Sequence, residues 1–309
     1  MNKYIIVILL LIIIQRVSLA TTLNDYSLDI SPLIEKDTAF SVGLEGVLNE
    51  YNAWFRDDKL YTLYPYNENI NKRDTIFRFA PYFTIRPLRF IEVKTATSFI
   101  YQLEEYRNDI TRATNKNDGF SFDSISVDAK VNLLDWYLAI AVKTGFNYSF
   151  KKDVIQYNTI TNETVPFNFY TTIMLAGIPK VIPINFIFNY KFDTRTNPQD
   201  ILKYGEIIGA LEFITSPFIN LYTGVSYVFP YNPQVDDMTY LEPFVKFKAE
   251  VGNFLTMTTS FKKIVLGSGN APNTATFTFS IEYNFYTPSW EFWSFKIAPK
   301  TNNQDNNNN

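Results

Sequence analysis

The 309-residue sequence predicts an all-β protein, a closed antiparallel transmembrane β-barrel of about twelve strands. Three observations predict it. Short stretches along the chain alternate apolar and polar residues with a period of two, giving each strand one greasy and one hydrophilic face. Long charged connections alternate with tight turns, so the long ones gather at one end of the strands. Aromatic residues reach 17%, with 21 Tyr and 28 Phe, while mean hydropathy stays near zero. A soluble core rarely needs so many tyrosines, whereas rings with a polar tip suit two membrane interfaces.

Residues 1–20 combine Lys3, an apolar run from Tyr4 to Ile14, and the small residues Ser18 and Ala20. This is the pattern of a secretory signal peptide cleaved after Ala20. The run is shorter than the roughly 17–25 apolar residues of a spanning helix. The first alternating run, AFSVGLEGVL, places Phe40, Val42, Leu44 and Leu48 on one face. A charged, tyrosine-rich connection, Asn52 to Asp74, leads to a second run with Phe77, Phe79, Phe83 and Ile85 opposite Arg78, Tyr82 and Thr84. The turn RPLR then delivers Ile91, Val93 and Phe99 opposite Glu92, Lys94 and Ser98.

Another long connection, Glu104 to Asp118, precedes Ile125, Val127, Ala129, Val131 and Leu133, which oppose Ser126, Asp128, Lys130 and Asn132. A tight link at Asp135 leads to Leu138, Ile140, Val142 and Phe146, facing away from Lys143 and Asn147. Beyond the loop Lys151 to Thr164, Phe167, Phe169, Ile173 and Leu175 form the sixth run, and Phe186, Phe188 and Tyr190, opposite Asn185, Asn189 and Lys191, the seventh. Ile207, Leu211 and Phe213 oppose Glu206 and Glu212; after the turn TSP, Leu221, Val225, Tyr227 and Phe229 follow. Val245, Phe247, Ala249 and Val251 oppose Lys246, Lys248 and Glu250, with Leu255, Met257 and Phe261 next. The closing run, TATFTFSIEYNF, alternates Phe277, Phe279, Ile281, Tyr283 and Phe285 with Thr276, Thr278, Ser280, Glu282 and Asn284.

Pro81 and Pro243 lie inside runs, where each removes a ladder donor, so a bulge or strand end is expected at both. YSLDI (26–30) and WEFWSFKI (290–297) are also strand-like, which raises the ceiling to fourteen; the second reads rather as a tail whose rings rest at a membrane interface.

Twelve runs, one-sided long loops and the aromatic Phe285 on the last strand resemble the bacterial outer-membrane β-barrel class, porin-like in outline, across residues 38–285. That resemblance implies an outer-membrane location, with residues 21–37 as a periplasmic N-terminal lead and 286–309 as an aromatic, then Asn-rich, C-terminal tail. Twelve-stranded outer-membrane lipases and the related proteases share the outline, but their mechanisms use a histidine.

This chain has no histidine and no cysteine. The usual neutral-pH base, the commonest metal ligand and the thiol nucleophile are therefore missing together, and no disulfide can form. No carboxylate or Ser-Lys constellation stands out, so no enzymatic activity, metal or cofactor is expected. Gly267 and Gly269 read as a hairpin loop rather than a phosphate cradle, because no helix follows. Without Lys3 and Arg16 the 28 basic residues fall to 26 against 31 acidic, a net charge of −5. With no basic block present, nucleic acid is excluded as a partner, and the expected partners are a lipid bilayer and a small polar solute.

Assigning faces by period two puts fifteen charged side chains on the lumen. The basic ones are Arg78, Lys94, Lys130, Lys143, Lys191, Lys246 and Lys248; the acidic ones are Glu45, Glu92, Asp128, Glu206, Glu212, Glu242, Glu250 and Glu282. Opposite signs recur on one strand, as in Glu92 with Lys94. A balanced wall predicts a passive, weakly charge-selective diffusion channel for small polar solutes. The alternative is a surface-display, adhesin or structural barrel whose charges pair across a closed interior.

Overall fold

The computed structural model describes residues 29–34, 38–56, 59–62, 64–67, 70–88, 90–108, 111–150, 154–156, 159–161, 167–179, 181–196, 201–216, 218–232, 238–252, 254–269 and 271–286. The expected signal peptide, 1–20, and the tail from 287 onward lie outside them, as do Tyr26 to Leu28.

Twelve antiparallel strands close into one ring. They are β1 (Thr38–Arg56), β2 (Ile70–Leu88), β3 (Ile91–Asn108), β4 (Thr114–Asp135), β5 (Leu138–Ser149) and β6 (Phe167–Gly177), followed by β7 (Ile184–Thr196), β8 (Ile201–Ser216), β9 (Ile219–Pro230), β10 (Thr239–Val251), β11 (Leu255–Lys263) and β12 (Pro272–Tyr286). Each pairs with its neighbours in sequence, and β1 pairs with both β2 and β12, which seals the wall against a free edge. Short segments, Lys59–Thr62 on β1, Tyr64–Asn67 on β2 and Leu266–Ser268 on β10, extend it at the long-loop end.

Several strands run further than their alternation does. The expected loop Glu104 to Asp118 is mostly a hairpin, since β3 continues to Asn108 and β4 begins at Thr114, with register from Tyr106↔Asn115 down to Gln102↔Gly119. Above the lipid both faces of a strand meet water, so pairing persists where the apolar-polar code has lapsed. Pro81 produces neither a bulge nor a strand end. The β2–β3 ladder skips Ala80 and Pro81 and resumes in the same register, so the absent donor faces the gap. Pro243 also stays within its strand, and the neighbour yields instead: pairing with β11 stops at Phe244↔Lys262 and restarts one residue out of step at Leu241↔Leu266.

Burial is inverted relative to a water-soluble protein. Phe188, on the outer face of β7, is 47% exposed, while the adjacent Asn189 is 1% exposed. Val225, Tyr227, Val245, Phe247, Phe277 and Ile281 repeat the outer pattern on later strands. Aromatic pairs band the wall at both ends. Toward the long loops Phe79 stacks on Phe99 at 5.0 Å, and Phe122, Phe150, Tyr148 and Phe167 continue the belt. Toward the short turns Phe40 stacks on Phe285 at 4.5 Å, with Trp136 and Tyr137 beside each other at the β4–β5 turn. These are the two girdles that hold an apolar band at the headgroup levels.

Candidate functional site: a polar, charge-paired lumen

The inner wall inherits its chemistry from the strand period. The fifteen charged residues assigned to the lumen from the sequence have the following neighbours. Arg78 forms an ion pair with Asp123 at 2.8 Å; Lys94 lies 3.8 Å from Glu45, Lys130 3.5 Å from Glu92, Lys143 3.9 Å from Asp128 and Lys191 4.0 Å from Glu206. Lys262 reaches Glu242 at 3.0 Å and Lys248 reaches Glu250 at 2.8 Å. Glu212 accepts from Asn185, Asn220 and Tyr222, and Lys246 sits 5.3 Å above the Tyr222 ring. Glu282 accepts from Ser41 and Tyr82 and pairs with Arg86 at 3.6 Å.

Most of these pairs cross between strands rather than joining the opposite signs that recur along one strand. Residues directly opposite across a ladder stand about 5 Å apart and residues two apart on one strand about 7 Å, so the cross-strand partner is nearer. Among the described residues, sequence reasoning missed five interior charges. Arg86 falls in what reads as the RPLR turn, Asp123, Asp193 and Lys262 lie at or just past the ends of the alternating runs, and Asp29 belongs to the lead. Two bases and three acids are thereby added to the seven and eight assigned, so the two signs remain close to balance.

Two tyrosine rings lie flat along the wall on β2 and β6. The backbone opposite each is glycine: an ideal Cβ on Gly43 would overlap the Tyr82 ring, and one on Gly145 would come within 2.7 Å of the Tyr170 ring. Their hydroxyls are anchored, Tyr82 to Glu282 at 2.9 Å and Tyr170 to Asp128. Ammonium groups cover their faces, Lys94 at 3.9 Å over Tyr82 and Lys191 at 4.8 Å over Tyr170. Between them small side chains, Ala80, Ala96, Ser98, Ser124 and Ser126, leave a niche bordered by Glu45, Arg78, Lys94 and Asp128. About 60 Å³ of it is open to the centres of water-sized molecules.

Asp29 to Ile34, expected as part of a lead outside the barrel, lie inside the ring. Ile30 is 2% exposed and packs among Ala139, Ala176, Ile187, Ala210, Tyr222 and Phe244 near the short-turn end. The Asp29 carboxylate lies 3.2 Å from Lys130 and 3.7 Å from Lys143. Asn189 donates to the Ile30 carbonyl at 3.0 Å and Asn132 to the Pro32 carbonyl at 3.1 Å. Burial works against the charge of Asp29, but Lys130, Lys143 and Lys246 around it outweigh that cost and hold its carboxyl well below the usual carboxylate range.

No protein-family model matches the chain, and no curated protein matches it in sequence. Among solved structures it is similar to the COG4313 outer membrane channel from Pseudomonas putida F1, at 8% identity and a TM-score of 0.53, over 86% of this chain and 100% of that one. It is also similar to the translocator domain of the autotransporter NalP from Neisseria meningitidis, at 10% identity and a TM-score of 0.50, over 82% of this chain and 91% of that one. At these identities the likeness is one of fold, and the fold of this chain is that of the bacterial outer-membrane β-barrels.

Proposed function

We propose that the chain resides in an outer membrane and passes small polar solutes with weak selectivity for charge. The observation that carries this reading is the inner wall, where acids and bases alternate around the ring and already match one another. A wall of one sign would filter ions by charge; a paired wall offers hydrogen bonds of both polarities and little net field. The niche at Ala80 and Ala96 presents Lys94 and Arg78 beside Glu45 and Asp128, which suits a neutral or zwitterionic solute of a few heavy atoms. The outer-membrane channel of similar fold supports the same reading by analogy.

A specific observation favours a second reading, a display or structural barrel with a closed interior: the lumen side chains are largely buried and Asp29 to Ile34 fill part of the space. Planar-bilayer recording in a salt gradient tests both. The channel reading expects conductance with a reversal potential near zero. A large reversal potential of either sign overturns the balanced lumen, and silence from folded protein even after displacement of the lumen segment leaves the display reading.

A further inference from the structure

The wall carries a second, differently built site at its short-turn end. There the inner face abandons its polar character: Ala139, Ala176, Ile187, Ala210, Tyr222 and Phe244 bring apolar surface together inside the ring. Facing water, that patch would be unfavourable, and Ile30 covers it. Nearby, Lys130 on β4 and Lys143 on β5 are direct register partners, a like-charged pair that repels across the ladder. Glu92 takes the outer flank of Lys130 and Asp128 that of Lys143, at 3.5 and 3.9 Å, and the Asp29 carboxylate completes the set by contacting both ammonium groups. Two wall amides, Asn132 and Asn189, aim their N–H groups at backbone carbonyls of the segment, and Lys130 adds a third donor to the Ser31 carbonyl at 3.4 Å.

From this we infer that the short-turn half of the lumen is a peptide-binding site, selective for an acidic residue followed by an aliphatic one in an extended chain. Its resident occupant is the chain's own Asp29-Ile30 step. Side-chain recognition by the lysine pair and the apolar patch gives the specificity, and the amides hold the backbone regardless of sequence. The segment joins β1 through only residues 35–37, so it can leave the lumen without unpairing any strand. Peptide binding stands on the wall alone; that departure of the segment opens a path for solute rests on the channel reading above.

The test uses the full-length chain carrying Asp29→Lys and Ile30→Asn, refolded and checked for heat-modifiable migration, with a chain lacking residues 21–36 as the second variant. The probe is a fluorescent synthetic peptide of residues 28–35, LDISPLIE. It is expected to bind both variants, to bind the unaltered protein much less because the site is filled, and to bind about tenfold more weakly when its Asp is replaced by Asn. In bilayers the variants are expected to conduct more than the parent, and the peptide added in trans to lower that current. Absence of binding to the folded variants, or equal binding of a scrambled peptide, overturns the site. Specific binding with no conductance in any variant leaves the site standing and removes the channel reading instead.

Discussion

Arg86 on β2 reaches past β1 to Glu282 on β12, with 3.6 Å between Nη2 and Oε1. The strand it bypasses contributes as well, since the Ser41 hydroxyl of β1 donates to the same carboxylate. Glu282 thus ties together the three strands that meet where the ring closes. Removing one partner of such an interior pair strands the other charge. Arg86→Ala is expected to lower stability by about 3 kcal/mol, and Tyr82→Phe, which loses only a hydroxyl, by about 1 kcal/mol. Urea unfolding in detergent micelles, followed by the shift between folded and unfolded gel bands, checks both.

Gly145 leaves the space in which the Tyr170 ring lies against β5. Gly145→Val is expected to push the ring into the lumen and break its bond to Asp128, at a cost of about 1–3 kcal/mol typical of overpacking. The second change Tyr170→Ala in the same chain should recover part of the loss. A double-mutant cycle in which the two changes simply add would show that ring and glycine do not interact.

Phe188 faces outward and Lys191 inward on the same strand. Phe188→Arg places a charge in lipid and is expected to cost about 2–4 kcal/mol near the midplane. Lys191→Met leaves Glu206 without its partner at 4.0 Å, so it too should lower stability, and it alone should shift ion selectivity toward cations. Refolding yield into lipid vesicles against urea reads the two stability losses, and bilayer recording in a salt gradient distinguishes the two faces.

At the tip of the β3–β4 hairpin Arg112 has a φ of 57° and is exposed, whereas Arg107 and Lys116 lie in paired strands. If the long connections face outward, trypsin added to intact cells should cut first after Arg112, because a protease needs an unpaired stretch of chain. N-terminal sequencing of the fragments reads the position directly. Cleavage confined to the Leu88–Ile91 turn would invert the topology.

The lipid-embedded wall was legible because a strand crossing a bilayer between water and lipid must alternate, and Ile125 to Leu133 can be read in no other register. The strand tops were not legible for the opposite reason: around Glu104 and Asp118 both faces are wet, and nothing in the residue order distinguishes a paired strand from a loop. Arg86 escaped the period-two assignment because the turn-like RPLR, with Pro87 in it, masked its place on β2. The lumen segment was hidden more deeply. Asp29 meets Lys130 across 101 residues of sequence, and no local pattern encodes such a meeting. Ala139, Ala176, Ile187, Ala210 and Phe244 held a trace of it, as apolar residues on the otherwise polar faces of their strands.

The pairing of β1 with β12 also has a kinetic side. Ser41 and Glu282 are 241 residues apart, so the first strand made is the last to find its second partner. Until β12 arrives, β1 presents a row of unsatisfied amides and carbonyls next to a face of Phe40, Val42 and Leu44, the kind of surface that recruits other chains. A delayed seam of this kind makes escort during transit a requirement of the topology itself, and it predicts that aggregation competes with folding mainly before the chain's final fifteen-residue strand has docked.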